Sequence, residues 1–167
     1  MNGCHNKNDG AILKENIMVD IVNYNSPASN EEIIAFEKET GVFFPEDYKS
    51  FLKAYNGGQP IPSAFSFLSK QEDGSAIDWF LSLGKDRYSN LREYYERYKG
   101  RLPEEMIPIA HDAGGNLVLI GVNEKQGIYF WDHEFEAEEG EVPDMSNVYT
   151  ISQSFTDFLN NLHEIEL

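Results

Sequence analysis

Two short clusters of imidazole and carboxylate side chains come nearest to a metal-binding pattern: His111-Asp112 and Asp132-His133-Glu134. Ligands of these types suit zinc or manganese. Successive side chains of a β-strand point to opposite faces, however, so neighbours on one strand do not converge on one ion. We therefore expect no metal site, and interpret both clusters as polar strand ends.

Nucleophilic catalysis has as little support in the sequence. The single cysteine, Cys4, lies in a polar N-terminal stretch, and no G-x-S-x-G motif is present. Gly114-Gly115 precedes an apolar strand pattern, whereas a phosphate site would need a helix N-terminus there. Among 29 Asp and Glu residues, carboxylate pairs arise by chance. We expect a protein that is not an enzyme and needs no cofactor.

Charge is the strongest compositional signal. Thirteen Lys and Arg against 29 Asp and Glu give a net charge of −16 over 167 residues. This excess disfavours direct binding to nucleic acid or anionic membranes and speeds encounter with a basic protein. Seven acidic residues form one run without Lys or Arg: Asp132, Glu134, Glu136, Glu138, Glu139, Glu141 and Asp144.

The acidic run allows two interpretations. Six of the thirteen basic residues lie within residues 85–101, so the two stretches either pair inside the molecule or leave the acidic run solvated as an interaction surface. The run also follows an aromatic strand end, and aromatic anchors beside a charged rim are typical of interfaces. The predicted partner-binding residues are Trp131, Asp132, Glu134, Glu136, Glu138, Glu139 and Glu141.

The chain length favours one domain. We expect a partly disordered N-terminal extension over residues 1–22, mobile in residues 1–10, and a single domain over residues 23–167. The start has no apolar signal-type region, and no stretch of about 18 apolar residues occurs. With one unpaired cysteine, these features favour a cytoplasmic protein without a membrane segment.

Helix punctuation and hydrophobic spacing predict the elements. Ser29 and Glu32 form a capping box, and Tyr48, Phe51 and Leu52 have the spacing of a core-facing helical stripe. We predict helices over residues 30–40, 46–56, 89–99 and 154–164, the last burying Ile165. Strands are predicted over residues 64–68, 76–83, 106–110, 116–122, 127–131 and 147–151. Helices at both ends of an antiparallel-rich sheet indicate an α+β domain.

Residues 31–58 resemble the opening signature of the SUKH superfamily. An acidic helix is followed by Gly, apolar residues, Pro and an aromatic residue, then by Phe-Leu and an Asn-Gly-Gly stop. The residues filling these places are Glu37, Gly41, Phe44, Pro45, Tyr48, Phe51, Leu52, Asn56, Gly57 and Gly58. Looser similarities extend the match to about residues 27–162. We expect mainly structural roles for this motif, with Glu37 either paired with a buried backbone or basic group or lining a groove.

The resemblance implies a curved sheet flanked by helices and a role in binding proteins. Bacterial members of the superfamily are typically immunity proteins that neutralise polymorphic toxins, often nucleases or deaminases. The expected partner is therefore a cognate toxin with a basic domain, whose active site this protein covers. The alternative is an intracellular regulatory scaffold of the type that controls fungal cell-wall glucan synthesis.

Overall fold

The computed structural model of the chain describes residues 19–85 and 88–165. Its helices are α1 (Asn30–Thr40), α2 (Glu46–Ala54), α3 (Leu91–Tyr98) and α4 (Phe155–Asn160). Its strands are β1 (Asp20–Val22), β2 (Gln59–Ile61), β3 (Ala64–Ser66), β4 (Gly74–Ala76), β5 (Trp79–Phe80), β6 (Met106–His111), β7 (Leu117–Gly121), β8 (Gly127–Trp131) and β9 (Val148–Ser152). These elements form the predicted α+β fold.

The first helix begins and ends where the sequence predicts, and the second begins at Glu46 as predicted but ends at Ala54 instead of residue 56. The Ser29 hydroxyl accepts a hydrogen bond from the Glu32 backbone N–H, and the Glu32 carboxylate accepts one from the Ser29 N–H. This capping box pairs two N–H groups that a helix start leaves free. Gly41 ends α1 at φ +74°, and Pro45 stands immediately before α2.

A five-stranded antiparallel sheet with the order β5-β6-β7-β8-β9 is the centre of the fold. Its register shifts between Pro108 and Ala110 and between Ile128 and Tyr129, and such bulges bend the strands that contain them. Two smaller antiparallel pairs, β1-β2 and β3-β4, lie outside this sheet.

Both faces of the sheet are covered, and each has its own apolar cluster. The larger cluster joins the sheet to α1, α2 and α4 through side chains such as Phe36, Phe51 and Phe158. The smaller cluster consists of Met106, Leu117, Leu119 and Trp131. Tyr94 and Tyr98 of α3 pack against this second cluster, so α3 covers the face of the sheet that contains it.

The two predicted elements that differ most from the structure do so because the chain changes its pairing partner. Predicted strand 76–83 is divided: residues 74–76 pair with β3, whereas Trp79 and Phe80 pair with β6. The last helix ends at Asn160 instead of residue 164, since the backbone of His163 forms two hydrogen bonds with Ala64, of 2.9 and 3.0 Å. Ile165, predicted to be buried, is exposed.

The folded region also begins before residue 23. Strand β1 pairs with β2, opposing Asp20 to Ile61 and Val22 to Gln59. Residues 1–10, for which we predict mobility, lie outside the described residues. Within the described residues, no helix is long and apolar enough to cross a membrane.

Candidate partner-binding surface

Residues 132–144, called the acidic segment below, lie in the connection between β8 and β9. The two ends of this connection are joined by hydrogen bonds between Asp132 and Asn147. The Asp132 N–H donates to the Asn147 carbonyl (3.0 Å), and the Asn147 side-chain amide donates to the Asp132 carbonyl (2.9 Å). The Asp132 carboxylate then accepts a 3.0 Å hydrogen bond from the Glu134 N–H, which starts a short 3-10 helix (His133–Phe135). The hydrogen bonds between Asp132 and Asn147 and this turn fix the position at which the segment leaves the sheet.

Arg101 holds the acidic segment further along. Its Nε and Nη2 atoms donate to the two carboxylate oxygens of Glu136 at 2.8 and 3.1 Å. The guanidinium also lies over the Tyr98 ring, 4.4 Å from the centroid. The hydrogen bond to Glu136 raises the pKa of Arg101 above its ordinary value. Of the two interpretations of the acidic run, internal pairing with residues 85–101 therefore holds for Glu136. Its negative charge is paired with the positive charge of Arg101.

All but one of the remaining acidic residues of the segment face solvent. The side chains of Glu134, Glu138, Glu139 and Glu141 are exposed, and Asp132 is half-buried. The distal turn closes on itself, because the Glu141 N–H donates to the Glu138 carbonyl and the Glu141 carboxylate accepts from the Glu138 N–H. The exposed residues remain predicted partner contacts.

Trp131 is a correction to the predicted surface. Its side chain is 1% exposed and packs with Met106, Leu117 and Leu119, while the ring of Tyr98 meets it edge-on at 5.6 Å. A side chain covered in this way has no area to offer a partner. Trp131 instead supports the layer on which Tyr98 and Arg101 lie.

The exposed apolar side chains of the segment are ones that the sequence analysis did not select. Phe135 is 66% exposed and Val142 is 86% exposed. Large apolar side chains that remain exposed among charges are typical anchors of protein interfaces. The available signal was Phe135 itself, a lone aromatic residue between Glu134 and Glu136 with no apolar periodicity around it.

Glu37 has the buried backbone partner predicted as one of its two roles. It is 6% exposed, and its Oε2 accepts a 2.8 Å hydrogen bond from the Phe44 N–H. The ammonium group of Lys49 lies 3.8 Å from the same oxygen. Lys49 also pairs with Glu46 at 3.0 Å, and this contact is the main cause of its raised pKa. Glu37 thus links the end of α1 to the start of α2.

Asn56 is the most completely bonded polar residue of the family motif. It is fully buried, and its amide donates to the carbonyls of Ser26 (2.8 Å) and Leu83 (2.9 Å) while its oxygen accepts from the Leu83 N–H (2.8 Å). Gly57 and Gly58 follow at φ +94° and +102°. A Cβ on Gly57 would lie 2.8 Å from Ser82 Cβ, so the turn requires glycine.

The aromatic part of the motif forms core. Tyr48, Phe51 and Leu52 are fully buried, and Phe51 packs 4.8 Å from Phe80 and 5.1 Å from Phe155 between ring centroids. Burial raises the pKa of the Tyr48 phenol well above its ordinary range. Gly41 and Pro45 stand at helix boundaries. The residues of the motif therefore have roles in folding.

The predicted polar clusters do not converge. No group of three or more His, Cys, Asp or Glu side chains within residues 19–85 and 88–165 is arranged to hold a metal ion. The Ser89 hydroxyl lies 2.9 Å from His111 Nε2, but the nearest acceptor to Nδ1 is the Asp112 carbonyl at 3.3 Å, with the Asp78 carboxylate at 3.8 Å. This geometry fastens the segment before α3 to β6 and does not align a carboxylate behind the imidazole, as a catalytic triad requires.

Comparison with known proteins identifies the family. The profile of the SMI1 / KNR4 family (SUKH-1) matches residues 27–161. The chain is also 30% identical over 167 residues to the SPbeta prophage-derived uncharacterized protein YokK of Bacillus subtilis (strain 168), covering 90% of this chain and 82% of the relative. The matched range includes the buried motif, the central sheet and the acidic segment. The chain belongs to the SMI1 / KNR4 family (SUKH-1).

Proposed function

We propose that this protein is a cytoplasmic immunity protein that binds a cognate toxin and covers its active site with the acidic segment. Its family includes immunity proteins, which supports the general role. The motif residues that identify the family are used for folding, so recognition is assigned to the exposed part of the molecule.

The observation that carries this proposal is the unpaired charge of the acidic segment. Among the ion pairs of residues 19–85 and 88–165, only the contact of Arg101 with Glu136 involves the segment. Glu134, Glu138, Glu139 and Glu141 therefore stay available to a basic partner. The exposed side chains of Phe135 and Val142 lie among them in the chain and supply apolar contact area.

The proposed partner is a toxin domain whose substrate cleft is basic. Enzymes that act on nucleic acids, such as nucleases and many deaminases, line their clefts with Lys and Arg to hold the phosphate backbone. A surface with several carboxylates competes for that cleft and raises the encounter rate through long-range attraction. Closure of the cleft inhibits the toxin without any chemical step in the immunity protein.

Co-expression with any nuclease or deaminase toxin domain that is found encoded beside this gene tests the proposal. Cells producing the toxin should survive when this protein is present, and purified toxin should bind it in a pull-down. A variant with Glu134→Lys, Glu138→Lys and Glu139→Lys should lose protection while keeping its melting temperature. The matched control is Glu72→Lys, Glu124→Lys and Glu164→Lys, which changes net charge equally at exposed positions elsewhere.

The control variant should still protect. Full protection by the triple variant within the acidic segment would show that the toxin is bound by another surface. A toxin domain that neither binds this protein nor is inhibited by it would count against immunity itself. Capture of a protein of the cell's own regulatory machinery would then favour the scaffold role.

A further inference from the structure

We propose that Arg101 is the positioning residue of the acidic segment, holding it in one arrangement before any partner arrives. The positioning role itself does not depend on the proposed function. Only the effect of Arg101 on toxin binding rests on that function. Its structural part depends on contacts of Arg101 that a single substitution removes.

The turn after α3 aims Arg101 at the acidic segment. Gly100 adopts φ +83°, and the Arg101 N–H donates a 2.8 Å hydrogen bond to the Tyr98 carbonyl. The guanidinium is thereby placed over the Tyr98 ring, which in turn meets the buried Trp131 ring. Arg101 thus has a rigid support on one side and the two oxygens of Glu136 on the other.

The acidic segment needs such a support because its own residues repel each other. Seven carboxylates occur within residues 132–144, with no Lys or Arg among them. Between described residues, no hydrogen bond or ion pair ties residues 137–143 to the rest of the molecule; their bonds run within the segment. Beyond the 3-10 turn, the contact with Arg101 is therefore the polar contact that links residues 136–143 to the rest of the described molecule.

Preordering has a definite consequence for recognition. A disordered segment loses conformational entropy when it binds, and a preformed one has lost it already on folding. Glu136 is occupied by Arg101, so a partner meets the remaining carboxylates at fixed relative positions. By holding this arrangement, Arg101 favours partners whose basic groups match it. It does so although its own positive charge repels a basic partner.

Backbone ¹⁵N relaxation of the full chain tests the positioning role without a partner. For residues 136–141 we expect order parameters near the rigid value of about 0.85 in the wild type and below about 0.6 in Arg101→Gln. Arg101→Lys, which keeps the charge but loses the two-pronged contact, should lie between them. The exchanged pair Arg101→Glu with Glu136→Arg should restore order. Arg92→Gln, which removes the ion pair with Glu39 at 3.2 Å, is the matched control and should leave the segment unchanged.

Unchanged order parameters in Arg101→Gln would overturn the inference. Binding to a toxin domain against which this protein protects cells supplies an independent measurement. Arg101→Gln makes the surface more negative, so electrostatics alone predicts faster association and tighter binding to a basic cleft. Loss of positioning instead predicts about tenfold weaker affinity through faster dissociation. Tighter binding would also contradict the inference, whereas loss of order without any toxin binding would contradict the proposed function alone.

Discussion

The Glu37 carboxylate accepts a hydrogen bond of 2.8 Å from the Phe44 N–H across the turn that separates the first two helices. Both groups are buried, and Gly41 reverses the chain between them. The contact sets the distance between α1 and α2, and so the position of the aromatic stripe that α2 directs into the core. A charged residue on an otherwise apolar helix face thus has a structural purpose.

Substitution of Glu37 should destabilise the fold most when the new side chain has no hydrogen-bond acceptor. Glu37→Ala leaves the Phe44 N–H buried without a partner, which costs roughly 1–3 kcal/mol of the free energy of unfolding. Glu37→Gln keeps an acceptor oxygen and should lose less. Urea denaturation measures both, with Glu31→Ala on the exposed side of the same helix as control. Equal stability of Glu37→Ala and the wild type would contradict the structural role.

Phe51 should be among the most costly side chains to truncate. It is fully buried between Phe80 and Phe155, so Phe51→Ala removes their shared contacts and leaves a cavity. The expected loss is about 3–5 kcal/mol, seen as a lower melting temperature. Phe43→Ala is the matched control, because Phe43 is 70% exposed and its truncation should change stability little. An unchanged melting temperature for Phe51→Ala would place α2 outside the core.

Removal of the Tyr48 hydroxyl should have the opposite effect and increase stability. The residue is fully buried, and its oxygen has no hydrogen-bond partner among the described residues. Burial of an unpaired hydroxyl is unfavourable by roughly 1–3 kcal/mol. Tyr48→Phe keeps the ring and should raise the free energy of unfolding by up to about that amount. A clear loss of stability in this variant would reveal a partner for the hydroxyl.

One buried and two half-buried phenols also predict a loss of stability at alkaline pH. Burial raises the pKa values of Tyr48, Tyr94 and Tyr129 above the ordinary 10.0, because the charged form is poorly solvated. A raised pKa in the folded state gives stability that is complete below pH 10 and lost as pH rises through the folded values. Urea denaturation between pH 8 and 11 should show this fall, and Tyr48→Phe should reduce it. A flat profile would contradict the burial of these groups.

Local signals were sufficient to predict α1 and α2. The capping box of Ser29 with Glu32 and the proline before α2 depend on residues a few positions apart, and the stripe of Tyr48, Phe51 and Leu52 follows helical spacing directly. The sequence also restricted Glu37 to two roles. Interactions of this range leave a trace in a single sequence because spacing determines them.

The misplacement of Trp131 shows where such reasoning stops. Strand β8 alternates its side chains between two faces, and both faces are buried because α3 covers the second one. The pattern of β8 alone does not reveal which face a distant helix covers. The same limit applied to Glu136, whose partner Arg101 is 35 positions away, so the sequence left internal pairing and partner binding as alternatives.

Association kinetics give the sharpest test of how the acidic segment is used. With Glu136 already paired, attraction of a basic toxin depends on the exposed carboxylates. Reversing Glu134, Glu138 and Glu139 to Lys should therefore slow association more than it speeds dissociation. Raising salt should slow the wild type in the same way, because exposed charges are screened beyond about 8 Å at physiological ionic strength. Stopped-flow binding to a toxin domain against which this protein protects cells measures both rates. The control with Glu72, Glu124 and Glu164 reversed should retain most of the association rate; equal slowing of both variants would mean that net charge alone attracts the toxin. A folded segment variant that binds at the wild-type rate would exclude the acidic segment from the interface.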